Sequence, residues 1–111
     1  MKIDIKPMSV NGAWKGQRFK TPEYVKYQRD VLFMLPTTTI PLAPLKIDLT
    51  YGFSSKSADI DNPTKQILDI LQKKYKFNDK DIYVLNLKKR IVPKGKEYFE
   101  FFISHIEYYD M

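Results

Sequence analysis

Leu45-Lys46-Ile47-Asp48-Leu49-Thr50-Tyr51-Gly52-Phe53 alternates large apolar residues with polar or small ones. That period of two is the mark of a strand with one face buried. Downstream, Asn62-Pro63 opens a helix whose apolar stripe is Ile67, Leu68, Leu71 and Tyr75. The strand pattern returns from Ile82 to Val92, and a Pro93-Lys94-Gly95-Lys96 turn leads into a last strand from Tyr98 to Ile106. Its residues Phe99, Phe101 and Ile103 are core candidates. Upstream, Thr21-Pro22-Glu23 starts a helix: Thr as N-cap, Pro in the first turn, an acid near the positive helix end. Tyr24, Tyr27, Val31, Leu32 and Leu35 follow at helical spacing until Pro36 stops the helix. Residues 37–44 read as an extended connection, and Lys2 to Lys6 as a short strand ending at Pro7. The stretch between Pro7 and Lys20, with Gly12 and Gly16, reads as a loop or a loose hairpin arm. The expectation is one α+β domain over residues 1–111, a small mixed β-sheet with helices on one face, in the order β-loop-α-β-α-β-β.

The 111 residues carry 43% hydrophobic and 14% aromatic residues, enough for a packed core. No window approaches about 18 uninterrupted apolar residues, which excludes a membrane-spanning helix. The N-terminal Met1-Lys2-Ile3-Asp4-Ile5-Lys6 lacks the apolar run of a signal peptide. With no cysteine there is no disulfide, thiolate metal site or cysteine nucleophile, and a cytoplasmic setting is expected. The single histidine, His105, rules out multi-histidine zinc sites and reads as a packed or solvated residue rather than a catalyst. A metal here must be held mostly by oxygen, which points to Mg²⁺ or Mn²⁺.

Charge is concentrated. Lys73, Lys74, Lys76, Lys80, Lys88, Lys89, Arg90, Lys94 and Lys96 meet only Asp79 and Asp81 within residues 73–96, giving that segment +7 against +6 for the whole chain. Such a cluster gains affinity for a polyanion by releasing counterions from phosphates. The three lysines ending the second helix also suit its dipole. A basic run on a strand has no such local reason, so Lys88, Lys89 and Arg90 are the better phosphate contacts.

Asp59-Ile60-Asp61-Asn62-Pro63-Thr64-Lys65 is the chemically informative segment. In an extended backbone Asp59 and Asp61 point the same way, and Lys65 lies about one helical turn beyond Asp61. Two acids and a lysine at a strand-to-helix junction suit metal-assisted phosphodiester hydrolysis, with carboxylates holding Mg²⁺ and the lysine countering negative charge on the phosphate. A third oxygen ligand is wanted, and Asp79 and Asp81 precede the next strand. The purely structural alternative makes Asp61 and Asn62 helix caps and Asp59 a turn residue.

Asp59-x-Asp61-Asn62-x-x-Lys65, then Leu68-Asp69-x-Leu71, then Asn78-Asp79-x-x-Ile82 resembles the RusA family of Holliday-junction resolvases. Pro7-x-Ser9-x-Asn11, Trp14 and Arg18 before the first helix are similar to that family's N-terminal loop. The resemblance implies a Mg²⁺-dependent homodimeric endodeoxyribonuclease, bacterial or phage-encoded, that cuts a four-way DNA junction by paired symmetric nicks. It implies metal ligands at Asp59, Asp61 and Asp79, preferred over Asp81, and a catalytic lysine at Lys65. Asn78 stands where the family often has the first of two Asp residues, and Pro63 where it has an aliphatic one.

Arg18, Lys20, Lys74, Lys76, Lys88, Lys89 and Arg90 are the expected DNA-binding residues. Trp14 and Phe19 add aromatic character to the arm, suited to gripping a distorted strand. Asp69, four residues after Lys65, is placed to orient that lysine. Phe102, Tyr108 and Tyr109 are candidates for a two-fold dimer surface. Two rival functions remain: a basic module that binds branched DNA or RNA without cutting, and a less selective Mg²⁺ nuclease acting on flaps or single strands.

Overall fold

A computed structural model describes residues 1–8, 14–15 and 19–111, the side chains of Trp14, Lys15 and Phe19 excepted. The expectations for Ser9, Asn11, Gly12, Gly16 and Arg18 lie outside the described residues. In chain order the elements are β1 (Lys2–Ile3), β2 (Trp14–Lys15), β3 (Phe19–Lys20), α1 (Pro22–Met34), β4 (Leu45–Phe53), α2 (Thr64–Tyr75), β5 (Ile82–Ile91) and β6 (Tyr98–His105). β1, β6, β4 and β5 form a four-stranded mixed sheet in that order, while β2 and β3 pair antiparallel as a separate arm. This is the expected α+β domain.

The alternation in β4 explains the sheet's two faces. Leu45, Ile47, Leu49, Tyr51 and Phe53 are buried, while Lys46, Asp48 and Thr50 between them are half-buried. The register places Leu49 beside Phe101 and Tyr51 beside Phe99, so the inward faces of β4 and β6 continue each other. Both helices cover this face. Tyr24, Tyr27, Val31 and Leu35 of α1 and its C-cap meet Ile67, Ile70, Leu71 and Tyr75 of α2 in one core with Ile47, Leu49 and Tyr51. Leu68, expected in the buried stripe of α2, is half-buried at the helix flank, and Ile70 takes the interior position.

Thr21 is the N-cap of α1, its hydroxyl accepting from the Tyr24 amide at 3.1 Å. Leu35 ends the helix in extended conformation ahead of Pro36, whose carbonyl accepts from the Tyr75 hydroxyl at 2.8 Å. β4 and β5 run parallel, with α2 as the crossover that parallel pairing needs. The Pro93–Lys96 turn closes with the Lys96 amide on the Pro93 carbonyl at 2.9 Å, and Gly95 there adopts φ +90°. It does not make a hairpin: β6 passes β5 and pairs antiparallel with β4 on the other side.

Two positions carry testable stability. On the sheet face away from the helices the Tyr98 ring lies over Gly52, where a Cβ would collide with its ring carbons. Tyr98 is buried, so the ring has little room to retreat. Gly52→Ala is expected to lower unfolding stability by about 1–3 kcal/mol in urea titrations, the usual cost of overpacking. His105 ties β6 to the connection that precedes β4: Nδ1 bonds the Leu42 carbonyl at 2.9 Å and Nε2 the Glu107 carboxylate at 3.0 Å. The Leu42 carbonyl, then Glu107, hold its pKa above the ordinary 6.5. The stabilisation is therefore fully present below pH 6.5 and is lost as pH rises through the folded-state value. The melting-temperature gap between wild type and His105→Gln should be widest in mild acid and shrink toward alkaline pH.

Candidate active site

The junction between β4 and α2 is a bend and turn, not the extended run that the Asp59-x-Asp61 spacing suggested. The Asp61 carbonyl accepts from the Thr64 amide at 3.1 Å, and the Thr64 hydroxyl donates to the Ile60 carbonyl at 3.3 Å. With its one proton so used, Thr64 accepts from the buried Tyr51 hydroxyl at 2.8 Å, which clamps the start of α2 onto β4. Burial pushes the Tyr51 phenol up to about 12, so it stays a donor at neutral pH. Fully buried Gln66 donates to the Asn62 carbonyl at 3.0 Å and the Met8 carbonyl at 3.1 Å, fastening the N-terminal segment to the same junction.

This turn separates the two acids. Asp61 lines an open cleft of about 470 Å³ with Thr64, Lys65, Leu68, Asp69, Asp79, Leu85 and Leu87. Asp59 lines a different cavity, of about 240 Å³, with Lys6, Ser54, Ser55, Asn62 and Glu97, and its carboxylate accepts from the Asn62 amide at 3.3 Å. The expectation that both point together is thereby corrected: a turn does not keep the i, i+2 alternation of a strand. The cleft brings together Asp61, Lys65 and Asp79, and adds Asp69.

Asp79 and Asp81 have separate tasks. Asp81 accepts from the Asn78 amide at 3.1 Å, closing a capping box around the 3₁₀ turn Asp79–Asp81. Asp79 faces the helix and accepts from the Gln72 side-chain amide at 2.7 Å, while that amide also donates to the Leu68 carbonyl at 3.1 Å. Gln72 was not among the expected residues. It follows Lys65 by seven positions, two helical turns on the same side, a spacing the sequence does contain. Asp69 titrates above its ordinary value, chiefly through burial, with Lys65 opposing and Asp79 reinforcing the shift. Lys65, Asp69 and Asp79 are thus electrostatic neighbours.

Among the described residues no three histidine, cysteine, aspartate or glutamate side chains converge as a metal cage. The donor chemistry of the cleft nonetheless fits Mg²⁺, which commonly takes one or two carboxylates, keeps several waters, and completes its shell with substrate phosphate oxygens. Asp61, Asp69 and Asp79 are the carboxylates that line the cleft.

Strand alternation divides the expected basic run. Lys89 shares the helix-side face of β5 with Leu85 and Leu87, and its ammonium donates to the carbonyls of Lys56 at 3.0 Å and Ala58 at 2.8 Å. Lys88 and Arg90 project from the opposite face, beside Thr50 and Gly52. Lys74 is half-buried in the last turn of α2, and exposed Lys76 caps that helix in the left-handed conformation. Phe102, Tyr108 and Tyr109 are exposed, with the Tyr83 and Tyr108 rings edge to face at 5.6 Å. No helix among the described residues is long and apolar enough to cross a membrane. No protein-family model matches the chain, and no curated protein matches it.

Proposed function

We propose that the chain is a Mg²⁺-dependent, structure-selective DNA endonuclease that resolves four-way junctions as a homodimer in a bacterial or phage-infected cytoplasm. The observation that carries this reading is the meeting of Asp61, Lys65 and Asp79 on one open cleft, from a helix start and a 3₁₀ turn fourteen residues further along. The cleft is open, and the +7 segment supplies Asp79, Leu85 and Leu87 to its lining, a charge balance that favours a polyanion. Asp61 and Asp79 would hold Mg²⁺, with Gln72 fixing the orientation of Asp79. Bound there, Mg²⁺ supplies a polarised phosphate and water of lowered pKa. Lys65 places a cation where charge accumulates on the scissile phosphate, and Asp69 keeps that lysine on the cleft side. Asp59 approaches the same segment from the neighbouring cavity, and as a ligand it would have to turn away from Asn62.

Lys65→Gln is expected to slow single-turnover cleavage by about 10²-fold, the usual scale for losing one preorganised donor at a developing charge. Selectivity is tested by competition: labelled four-way junction is cut in Mg²⁺ while excess unlabelled duplex or single strand is added. Cleavage that survives the linear competitors supports a resolvase. Cleavage abolished equally by single strands makes the protein a general nuclease, and binding without cleavage makes it a branched-DNA-binding module.

A further inference from the structure

The two edges of the main sheet are unlike. β1, at one edge, is two residues long. β5, at the other, runs for ten residues without proline or glycine, and its register against β4 is unbroken from Val84 to Ile91. Among the described residues no strand pairs with its outer side. The Val92 amide donates to the Phe53 carbonyl at 2.8 Å, so alternate residues back along β5, Arg90, Lys88, Asn86 and Val84, also face β4 with their backbone. Leu85, Leu87, Lys89 and Ile91 therefore turn their N–H and C=O groups to the open edge, a row of unpaired donors and acceptors. Natural sheets protect such an edge by shortness, bulges, proline or charge. Along this open run β5 has only charge, and at one end: Lys88, Lys89 and Arg90 come last, while Asp79 and Asp81 stand just before the strand starts. Apolar Tyr83, Leu85 and Ile91 are exposed along it.

We infer that β5 is the surface through which two copies of this chain associate: it pairs antiparallel with β5 of a second copy about a two-fold axis at Asn86, joining the two four-stranded sheets into one. Charge selects this occupant and its direction. A parallel copy in register sets Lys88, Lys89 and Arg90 against the same three cations, and an antiparallel one centred on Lys88 or Lys89 also brings like charges face to face. Centred on Asn86, Leu85 of each copy faces Leu87 of the other, Lys88 faces Val84 and Lys89 faces Tyr83. The basic end of each strand then runs beside the acidic turn that opens the other. Leu85 and Leu87, whose backbone groups point outward, exchange the central hydrogen bonds, and Asn86 meets its own copy in a non-hydrogen-bonded pair. Paired residues share a face, so both helix layers lie on one side of the joined sheet. The two Asp61–Asp79 clefts, each lined by Leu85 and Leu87, then flank the axis. The inference deepens the homodimer of the proposed function and rests on that reading for the use of the clefts on opposing strands, not for the pairing itself.

The chain has no cysteine, so a single introduced thiol reports the axis cleanly. In a non-hydrogen-bonded antiparallel pair the Cα atoms lie about 4.5 Å apart, within disulfide reach. Full-length Asn86→Cys, without DNA and under mild oxidation, is expected to run as a covalent dimer on a non-reducing gel, and Lys94→Cys in the β5–β6 turn as a monomer. Sedimentation velocity reads the same contact without a crosslink. Wild type is expected to sediment as a dimer. Leu85→Pro, which removes an outward N–H and leaves the ladder to β4 intact, is expected to sediment as a monomer with a wild-type circular dichroism spectrum. Should Leu85→Pro fail to fold, the two thiol variants decide. Wild type sedimenting as a monomer overturns the interface, and so does equal crosslinking of the two thiol variants or a folded Leu85→Pro that stays dimeric. A dimer crosslinked through Asn86→Cys, from a protein that never cuts DNA in Mg²⁺, upholds the interface and overturns the nuclease reading. Paired junction cuts by a protein whose Asn86→Cys variant does not crosslink uphold the nuclease and overturn the β5 contact.

Discussion

Asp61→Asn is expected to lower Mg²⁺-dependent junction cleavage on the order of 10³-fold while leaving junction affinity in Ca²⁺ close to wild type. The size follows from removing one of two carboxylates that hold the ion: metal stabilisation of the phosphoryl charge is worth several kcal/mol, and each 1.36 kcal/mol is tenfold in rate. The fold should survive. The hydrogen bond that starts α2 comes from the Asp61 carbonyl, not from its carboxylate, and the side chain is exposed. Asn retains the shape of Asp, so a thermal melt near wild type would confirm that any lost activity is chemical. Quench-flow or gel-based single-turnover rates over a Mg²⁺ series would read the effect. An equal rate in Asp61→Asn would remove this residue from the site.

Asp79 and Asp81 should part company under substitution. Asp79→Asn is expected to cost cleavage on the same 10³-fold scale, with little change in stability, because the Gln72 amide can still be accepted by the Asn side-chain oxygen. Asp81→Ala is expected to retain most activity but lose about 1 kcal/mol of stability, since it leaves the Asn78 amide without its capping partner. Denaturant titration and cleavage rate, measured on the same preparations, separate the two roles. Reversal of the pattern would shift the third acid of the site by two residues.

The fold was legible where the chain makes its choices locally. Thr21 before Pro22, the nine alternating residues of β4 and the apolar stripe of α2 each specify an element by period or cap chemistry. Strand order was not legible in the same way. The turn at Pro93–Lys96 has hairpin composition, but β4 offers two open edges, and β5 takes one by the α2 crossover while β6 takes the other. That choice is made by burial of Phe99 and Phe101 against the core, a tertiary matter. At the cleft, the place of Lys65 one turn beyond Asp61 could be read from spacing, whereas spacing left Asp79 and Asp81 open and only the family resemblance preferred Asp79. The separation of Asp59 from Asp61 could not, because it depends on Thr64 bonding back to Ile60 and Asp61. Residue type alone does not reveal whether a ten-residue connection runs straight or turns. The same holds for Lys88, Lys89 and Arg90: a basic run becomes two opposed sets once strand alternation is applied, and which set faces the cleft depends on register.

The most direct measurement is mapping of the cuts that wild-type protein makes on a four-way junction labelled in turn at each 5′ end, in Mg²⁺ and in EDTA. A metal-dependent resolvase leaves two nicks in opposing strands, placed symmetrically about the branch point and absent in EDTA. Intact strands in Mg²⁺ and Mn²⁺, from a protein that binds the junction, would contradict it.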